Sequence, residues 1–320
     1  MTWRLLLFAA AIRWTAQMDL EPVRNNPTAN ELDAASWMWY PTRPGKASAQ
    51  SCKFVNESFS QWMIRQTSRD GFENMAPYVD RSAVKKYAQI AATYLKVPRT
   101  YATFTWSNVR TILNYPFSSS FAFKALHGHG MSWLMIDGKM YESGTLRPST
   151  GPRLDPGFLK RQAVKWMKQC YHCNDERQYA IVRRGVILEE ILGGGFATEL
   201  RVYMFHGEPY LLEIREHVPT DFGKIKEHFS IINNGDDPLE PANIQLEHTK
   251  AYISNSTMRD VFRASRDLTR NFRFVSVHFY YVKSTLYFKE LDFSPEGRKD
   301  MLNEFYNVHR DTMVLCPRHG

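Results

Sequence analysis

Hydrophobic and polar positions alternate along this chain in short runs, and the period changes from one segment to the next. From about Phe59 to Leu95 the apolar residues recur at helical spacing, in pieces. One piece opens at Asp80-Arg81-Ser82 and continues to Tyr94, before Pro98. Phe121-Ala122-Phe123-Lys124 and Ser132–Ile136 read as strands on either side of His127-Gly128-His129-Gly130, and Asp137-Gly138 closes the second with a turn. Leu159, Ala163, Trp166, Met167 and Cys170 form one stripe of a helix predicted over Phe158–Cys170. Val186-Ile187-Leu188 reads as a short buried strand running into Glu189-Glu190. Leu200–Phe205 and Tyr210–Ile214 make a hairpin about His206-Gly207-Glu208-Pro209. Met258, Val261, Phe262, Ser265 and Leu268 mark a further helix, with Ser256 as its N-cap candidate.

The last strong pattern is SVHFYYVKSTLYFKELDFSPEG, Ser276 to Gly297. Two aromatic, β-branched runs flank Lys283-Ser284-Thr285, which predicts a hairpin. Glu290 and Asp292 lie two residues apart, so an unbroken strand puts both on one face, together with Leu286 and Phe288. The register decides what faces them. A loop of odd length centred on Ser284 places His278 across from Glu290; a two-residue loop places it across from Lys289. Neighbouring carboxylates repel unless a cation sits between them or one is protonated, and Mg²⁺ shared with substrate phosphates is one resolution. Two solvated acids on a strand end are the plainer alternative.

Composition narrows the class. The chain has 320 residues and a formal charge of +8, which suits phosphates, nucleotides, acidic sugars or nucleic acid, with solubility alone as the plainer alternative. It has no dense Lys/Arg block of the kind that tracks nucleic acid, and no nucleic-acid partner is expected. Four cysteines in so long a chain do not make a disulfide framework. The single Cys170-Tyr171-His172-Cys173 reads as two ordinary helix residues, with a redox or metal role as the minority reading. At the N-terminus, Leu5–Ile12 is too short to span a bilayer, and Arg13 cuts its resemblance to a signal peptide short. A cytoplasmic protein is therefore favoured, with no membrane association beyond this segment. Secretion stays open if residues 1–17 act as a signal, and the Asn56 and Asn255 sequons do not decide it.

Three further constellations carry chemistry. Lys124 leaves a strand just before the glycine loop, where a point charge and free backbone N–H groups can meet phosphate oxygens; a flexible hairpin loop is the alternative. Glu189 and Glu190 end a buried strand whose backbone can read an adenine edge and whose acids can hold ribose hydroxyls. Glu199 and Arg201 share one face of the next strand, as a structural ion pair or as part of a site.

Taken in order, these stretches resemble the TupA-like ATP-grasp family, over roughly Phe59 to Gly297. The likeness is carried by Asp80-Arg81-Ser82, FAFKALHGHG (Phe121–Gly130), KWMKQCY with ERQY, VILEEIL (Val186–Leu192), ELRVYMFHG (Glu199–Gly207) and Met258–Gly297. The resemblance implies an α+β fold, with two lobes holding ATP and Mg²⁺ between them and a helical N-terminal region. Lys124 would hold the phosphates, His127, Gly128 and Gly130 would close over them, and Glu189 and Glu190 would sit at adenine and ribose. Arg201 would replace a phosphate-side lysine, Glu290 and Asp292 would ligate Mg²⁺ with His278 beside them, and Arg298 would receive a substrate carboxylate. The implied activity is ATP-dependent carboxylate–amine ligation, with a small-molecule or glycan-precursor substrate in cell-surface polysaccharide synthesis. Ser276 and His278 stand where the family has arginine and aspartate, which keeps a nucleotide-binding pseudoenzyme in view. A sugar-nucleotide transferase is the third reading. The expected organisation is a leader over 1–50, a mainly helical region over 51–115, a central lobe over 116–215 and a C-terminal lobe over 216–320.

Overall fold

The computed structural model describes residues 59–68, 71–142, 154–173, 175–205, 207–217, 225–231 and 253–294. The leader, the Asn56 sequon and Arg298 lie outside them. No helix among the described residues is long and apolar enough to cross a membrane.

Two five-stranded antiparallel sheets form the frame. The first contains β1 (Thr100–Thr105), β2 (Phe121–Ala125), β3 (Ser132–Ile136), β4 (Lys139–Glu142) and β5 (Gly185–Glu189), in the order β1-β5-β2-β3-β4. The second contains β6 (Thr198–Phe205), β7 (Glu208–His217), β8 (Ile225–Ile231), β9 (Phe274–Val282) and β10 (Thr285–Asp292), in the order β10-β9-β6-β7-β8. An expected boundary at 215/216 would cut through β7, and β1 joins a sheet from within the segment expected to be mainly helical. Strands pair across long stretches of sequence, so sheet membership does not follow chain order.

Helix α1 is Phe59–Thr67, α2 Ala76–Val79, α3 Ala83–Ala91, α4 Pro156–Lys168 and α5 Asn255–Thr269. The Asp80 carboxylate accepts from the Ser82 and Ala83 amides at 2.7 and 3.0 Å and starts α3. Asp155 caps α4, which stops at Lys168, so Cys170 lies past the helix rather than within it. Ser254, not Ser256, caps α5, accepting from the Thr257 amide at 3.2 Å.

Each sheet has an apolar face covered by helix. Phe121, Phe123, Val186 and Leu188 pack against Leu159, Ala163 and Trp166 of α4. Leu200, Val202, Val277, Phe279 and Phe288 pack with α3 and α5 residues such as Val84, Val261 and Phe262. The opposite faces are left to meet each other. On the second sheet this opposite face carries Glu199, Arg201 and Tyr203 of β6, because side chains alternate along a strand. Register lines them up with Tyr280, His278 and Ser276 of β9 and with Arg215, Glu213 and Leu211 of β7. Where that face turns apolar, at Tyr203, Phe205 and Phe274, Trp62 and Met63 of α1 cover it.

The β9–β10 hairpin departs from the simple pleat. Its turn is two residues, since Val282 pairs with Thr285. That alone would set His278 against Lys289. A β-bulge between Phe288 and Glu290 adds one residue to β10 and brings His278 opposite Glu290 after all. Phe288, before the bulge, lies in the core with Phe279, and Leu291, after it, is turned into the core as well, while Lys289 and Glu290 both reach the face between the sheets. The expectation that Leu286 and Phe288 share a face with the acids fails at this residue. Lys283 and Ser284 both take left-handed φ values, 47° and 59°, a conformation that favours Asn-Gly. The double replacement Lys283→Asn, Ser284→Gly is expected to raise unfolding stability by about 1 kcal/mol, measured by chemical denaturation.

Candidate nucleotide-binding site

A cavity of about 230 Å³ lies between the two sheets. Lys124 borders it from the first sheet, and Arg201, Lys289 and Glu290 border it from the second. The cleft on which the phosphate reading depends is therefore present. Its apolar lining is Ala122, Leu134, Ile191, Leu192 and Ala197, of which Ala122, Leu134 and Ile191 belong to one hydrophobic cluster. Its charged lining includes Arg81, Lys124, Arg201, Arg215 and Lys289, with Glu199 and Glu290 paired among them.

Lys124 leaves β2 opposite the core-facing Phe123 and meets the buried Glu189 carboxylate, whose other oxygen takes the ammonium of Lys85. Lys85 also donates to the Pro98 carbonyl at 3.2 Å. Burial pushes the Glu189 carboxyl up, but Lys124 and Lys85 outweigh it and bring its pKa down to about 2. This acid is thus engaged by two lysines rather than turned to a ribose. Its neighbour Glu190 does line the cavity, and it accepts from the Arg99 amide at 3.1 Å.

The glycine loop contributes unevenly. His129 and Gly130 line the cavity. His127 is fully buried away from the cavity wall, with Nε2 3.0 Å from the Trp166 carbonyl oxygen. Burial lowers its pKa to about 4, with the Arg184 charge adding to the effect. A role for the His127 side chain at the phosphates is not what this geometry offers. Gly128 has φ 113°, and a Cβ there would meet Tyr171 at 2.6 Å, so no other residue fits. Arg81 donates to the Gly128 carbonyl at 3.1 Å and stands 3.6 Å from Glu290, tying the loop to the second sheet. Tyr171 is held in the turn after α4, where Cys170 and Cys173 form a disulfide. The reading of both as ordinary helix residues is corrected by the early end of α4. Arg184 donates to the Gln169 carbonyl at 2.7 Å and contacts both sulfurs.

On the second sheet the charges form a lattice. Glu199 accepts from Arg201 at 2.9 Å and from Lys289 at 2.6 Å. The buried Glu213 accepts from the Tyr203 hydroxyl at 2.6 Å, with Arg215 3.5 Å away. His278 Nδ1 lies 3.2 Å from Glu290 Oε1, and Nε2 lies 2.8 Å from the Ser276 hydroxyl. A carboxylate only accepts, so Nδ1 carries the proton and Nε2 accepts from serine. Burial and the Arg201 charge lower the His278 pKa and keep the ring neutral. Burial raises the Glu290 pKa, but Lys289 and Arg81 hold it well below the carboxylate range. Tyr280 has the Lys124 ammonium 5.8 Å and the Lys289 ammonium 5.4 Å from its ring centroid, so one aromatic ring bridges the sheets.

Asp292 sits apart from this lattice. Its Oδ1 accepts from the Ser294 amide at 3.0 Å and faces His129 at 3.7 Å. Among the described residues the metal-capable atoms that converge belong to Glu199, His278 and Glu290, within 4.8 Å of one another, not to Glu290, Asp292 and His278. Nor does this trio fit Mg²⁺. One donor is an imidazole nitrogen already committed to Glu290, and Mg²⁺ prefers oxygen. The Lys289 ammonium already lies 2.6 and 3.3 Å from the two carboxylates.

Lys85, Glu213, Arg215 and Tyr280 were not singled out from sequence, while Arg81 entered only through the Asp80-Arg81-Ser82 motif and Lys289 only as a register partner of His278. Alternation in LLEIREH signals Glu213 and Arg215 as one face with Leu211. Lys289 follows from the two-residue turn and alternation with Phe288, and it is Glu290 that only the bulge turns inward.

Two outcomes follow from these environments. Glu189→Gln strands two buried ammonium groups and is expected to cost about 3–5 kcal/mol of stability, measured by urea unfolding. Replacing Lys85, Lys124 and Glu189 together by apolar residues should cost less. His127 is held neutral, with its folded pKa near 4 against about 6.5 unfolded. Its contribution is complete above the unfolded value and is lost as pH falls through 4. His127→Phe is expected to flatten the fall in melting temperature between pH 6.5 and 4.

A comparison with curated proteins finds no match. Solved structures similar to the chain include the ATP-grasp ligase PsnB complexed with its minimal precursor, at 13% identity and TM-score 0.39, covering 74% of this chain and 61% of that one. D-alanine–D-alanine ligase from Helicobacter pylori is 12% identical with TM-score 0.45, over 75% of this chain and 61% of that one. L-amino acid ligase from Bacillus licheniformis is 12% identical with TM-score 0.46, over 79% and 53%. The chain thus spans little more than half to three fifths of these proteins' lengths. The TupA-like ATP-grasp family matches residues 59–312, most of the sequence. The chain belongs to the TupA-like ATP-grasp family and has an ATP-grasp fold.

Proposed function

We propose that this protein is an ATP-dependent carboxylate–amine ligase, with the nucleotide between the two sheets. The observation that carries the reading is the polarity of one cleft: apolar at Ile191 and Leu192, strongly cationic at Lys124, Arg201 and Lys289. A purine fits the first environment and a polyphosphate the second. The cavity is smaller than the roughly 300–1,000 Å³ common for ligand sites, so a whole nucleotide extends past it or the sheets part to admit it. Glu190, at the cavity wall beside Ile191 in the chain, is the proposed acceptor for ribose hydroxyls.

In the proposed reaction a substrate carboxylate oxygen bonds to the γ-phosphorus as its bond to the β-phosphate oxygen breaks, giving an acyl phosphate and ADP. An amine nitrogen then bonds to the acyl carbon, and inorganic phosphate leaves. Lys124, Arg81 and Arg201 neutralise the charge that gathers on the transferring phosphoryl group, and the sheets hold it in line. Mg²⁺, as the counter-ion of the triphosphate, would supply further neutralisation of phosphate charge. A glycan precursor or an amino-acid-like amine is the proposed acceptor class, in cell-surface polysaccharide synthesis. Arg298 remains proposed for the carboxylate.

Bound ATP stabilises by mass action, about 2.7 kcal/mol at a hundredfold excess over Kd. ATP is therefore expected to raise the melting temperature by several degrees, an effect that Lys124→Met removes. UDP-sugars raising it instead would turn the reading toward a transferase. ATP binding with no ADP release across carboxylate and amine pairs would identify a pseudoenzyme, the alternative that His278 and Ser276 favour.

A further inference from the structure

We infer that Lys289 is a built-in cation that takes the place of a protein-bound metal ion between Glu199 and Glu290. Three observations converge on it. The Lys289 Nζ is 2.6 Å from Glu199 Oε1 and 3.3 Å from Glu290 Oε1, the same two oxygens that face His278 Nδ1 at 3.6 and 3.2 Å. Glu199, His278 and Glu290 are also the residues whose donor atoms lie close enough together to hold a metal. Lys289 faces the cleft by alternation from the core-facing Phe288, and the bulge in β10 turns Glu290 to the same side, so the ammonium and both carboxylates meet. In an unbroken strand, Glu290 would pair with the core residue Val277 and leave Lys289 without this carboxylate partner.

The charge balance around the pair leaves no room for a further dication. Glu199 also has Arg201 at 2.9 Å and Arg215 at 3.9 Å, and Glu290 has Arg81 at 3.6 Å. A divalent ion entering here would add two positive charges to carboxylates that already have several cations around them, at separations where like charges repel strongly in a poorly solvated site. The imidazole would also have to surrender its proton to Glu290 or its bond to it.

The consequence rests on the nucleotide reading above. Phosphates in this cleft meet fixed cations rather than an ion ligated by β9 and β10, so their binding does not require a metal held by these strands.

The inference itself is tested without nucleotide, by titrating the full chain with Mn²⁺ alone and following the free-ion electron paramagnetic resonance signal. The wild-type protein is expected to take up no Mn²⁺ at this place. Lys289→Met is expected to gain one Mn²⁺ bound at least tenfold more tightly, and Glu290→Gln in that background to lose it again. A wild-type protein that binds one Mn²⁺ tightly and loses it in Glu290→Gln overturns the inference. So does a folded Lys289→Met with no gain. Should Lys289→Met fail to fold, Lys289→Gln keeps the stem length and a hydrogen-bonding end and is judged by the same criteria. A separate arm compares ATP affinity with Mg²⁺ and with excess EDTA. Retention within about tenfold supports the consequence. Loss in EDTA of an affinity that wild-type protein shows with Mg²⁺ overturns it, and no ATP binding in either condition counts against the nucleotide reading alone.

Discussion

Two sheets can face one another across a polar gap only if each buried charge in the gap has an opposite charge within reach. That constraint organises this molecule. An isolated ion out of water costs several kcal/mol, and here Glu189, Glu199, Glu213, Glu290, Lys85 and Lys124 are all shielded from solvent or nearly so. They are tolerable because they are interleaved. Glu189 takes two lysines from two elements, and Glu199 takes cations from β6, β7 and β10. The pairings cross from helix to strand and from strand to strand, so the charged lattice fixes the relative placement of elements whose apolar faces point elsewhere.

The same interleaving prepares the cleft for an anion. A carboxylate lattice with matching cations presents a neutral wall; an excess of cations presents a receptor. The cavity wall has five Lys or Arg side chains against three Glu, so a ligand bearing several negative charges completes the balance. Preorganised charges of this kind need no rearrangement when charge develops on a substrate. The neutral His278, fixed by Ser276 and Glu290, adds a hydrogen-bonded brace rather than another charge.

Much of this was legible in the sequence where a short-range signal exists. The strands around Lys124, the Asp137-Gly138 turn, the buried strand into Glu189 and the helix through Val261 and Leu268 all follow from period and turn chemistry. The convergence of Lys124 with Glu290 followed from motif order. What stayed hidden depends on partners distant in the chain. Glu189 looks like an exposed strand-end acid until Lys85, 104 residues away, is brought to it. His127 sits in a glycine loop that suggests ligand contact, yet the carbonyl of Trp166 draws its ring inward. The end of α4 at Lys168, which frees Cys170 to meet Cys173, is a break in a stripe that by period alone continues.

The bulge in β10 gives residue count a meaning separate from residue identity. From Phe288 to Asp292 the strand has one more position than its partner uses, and that surplus decides which side chains see the cleft and which see the core. A relative lacking one of the two bulge residues would return to a simple pleat, with Phe288, Leu291 and Asp292 on the faces they hold here and one charged side chain gone from the cleft. In this segment an alignment gap is a change of function-bearing surface, whereas a substitution at Leu291 is only a change of packing.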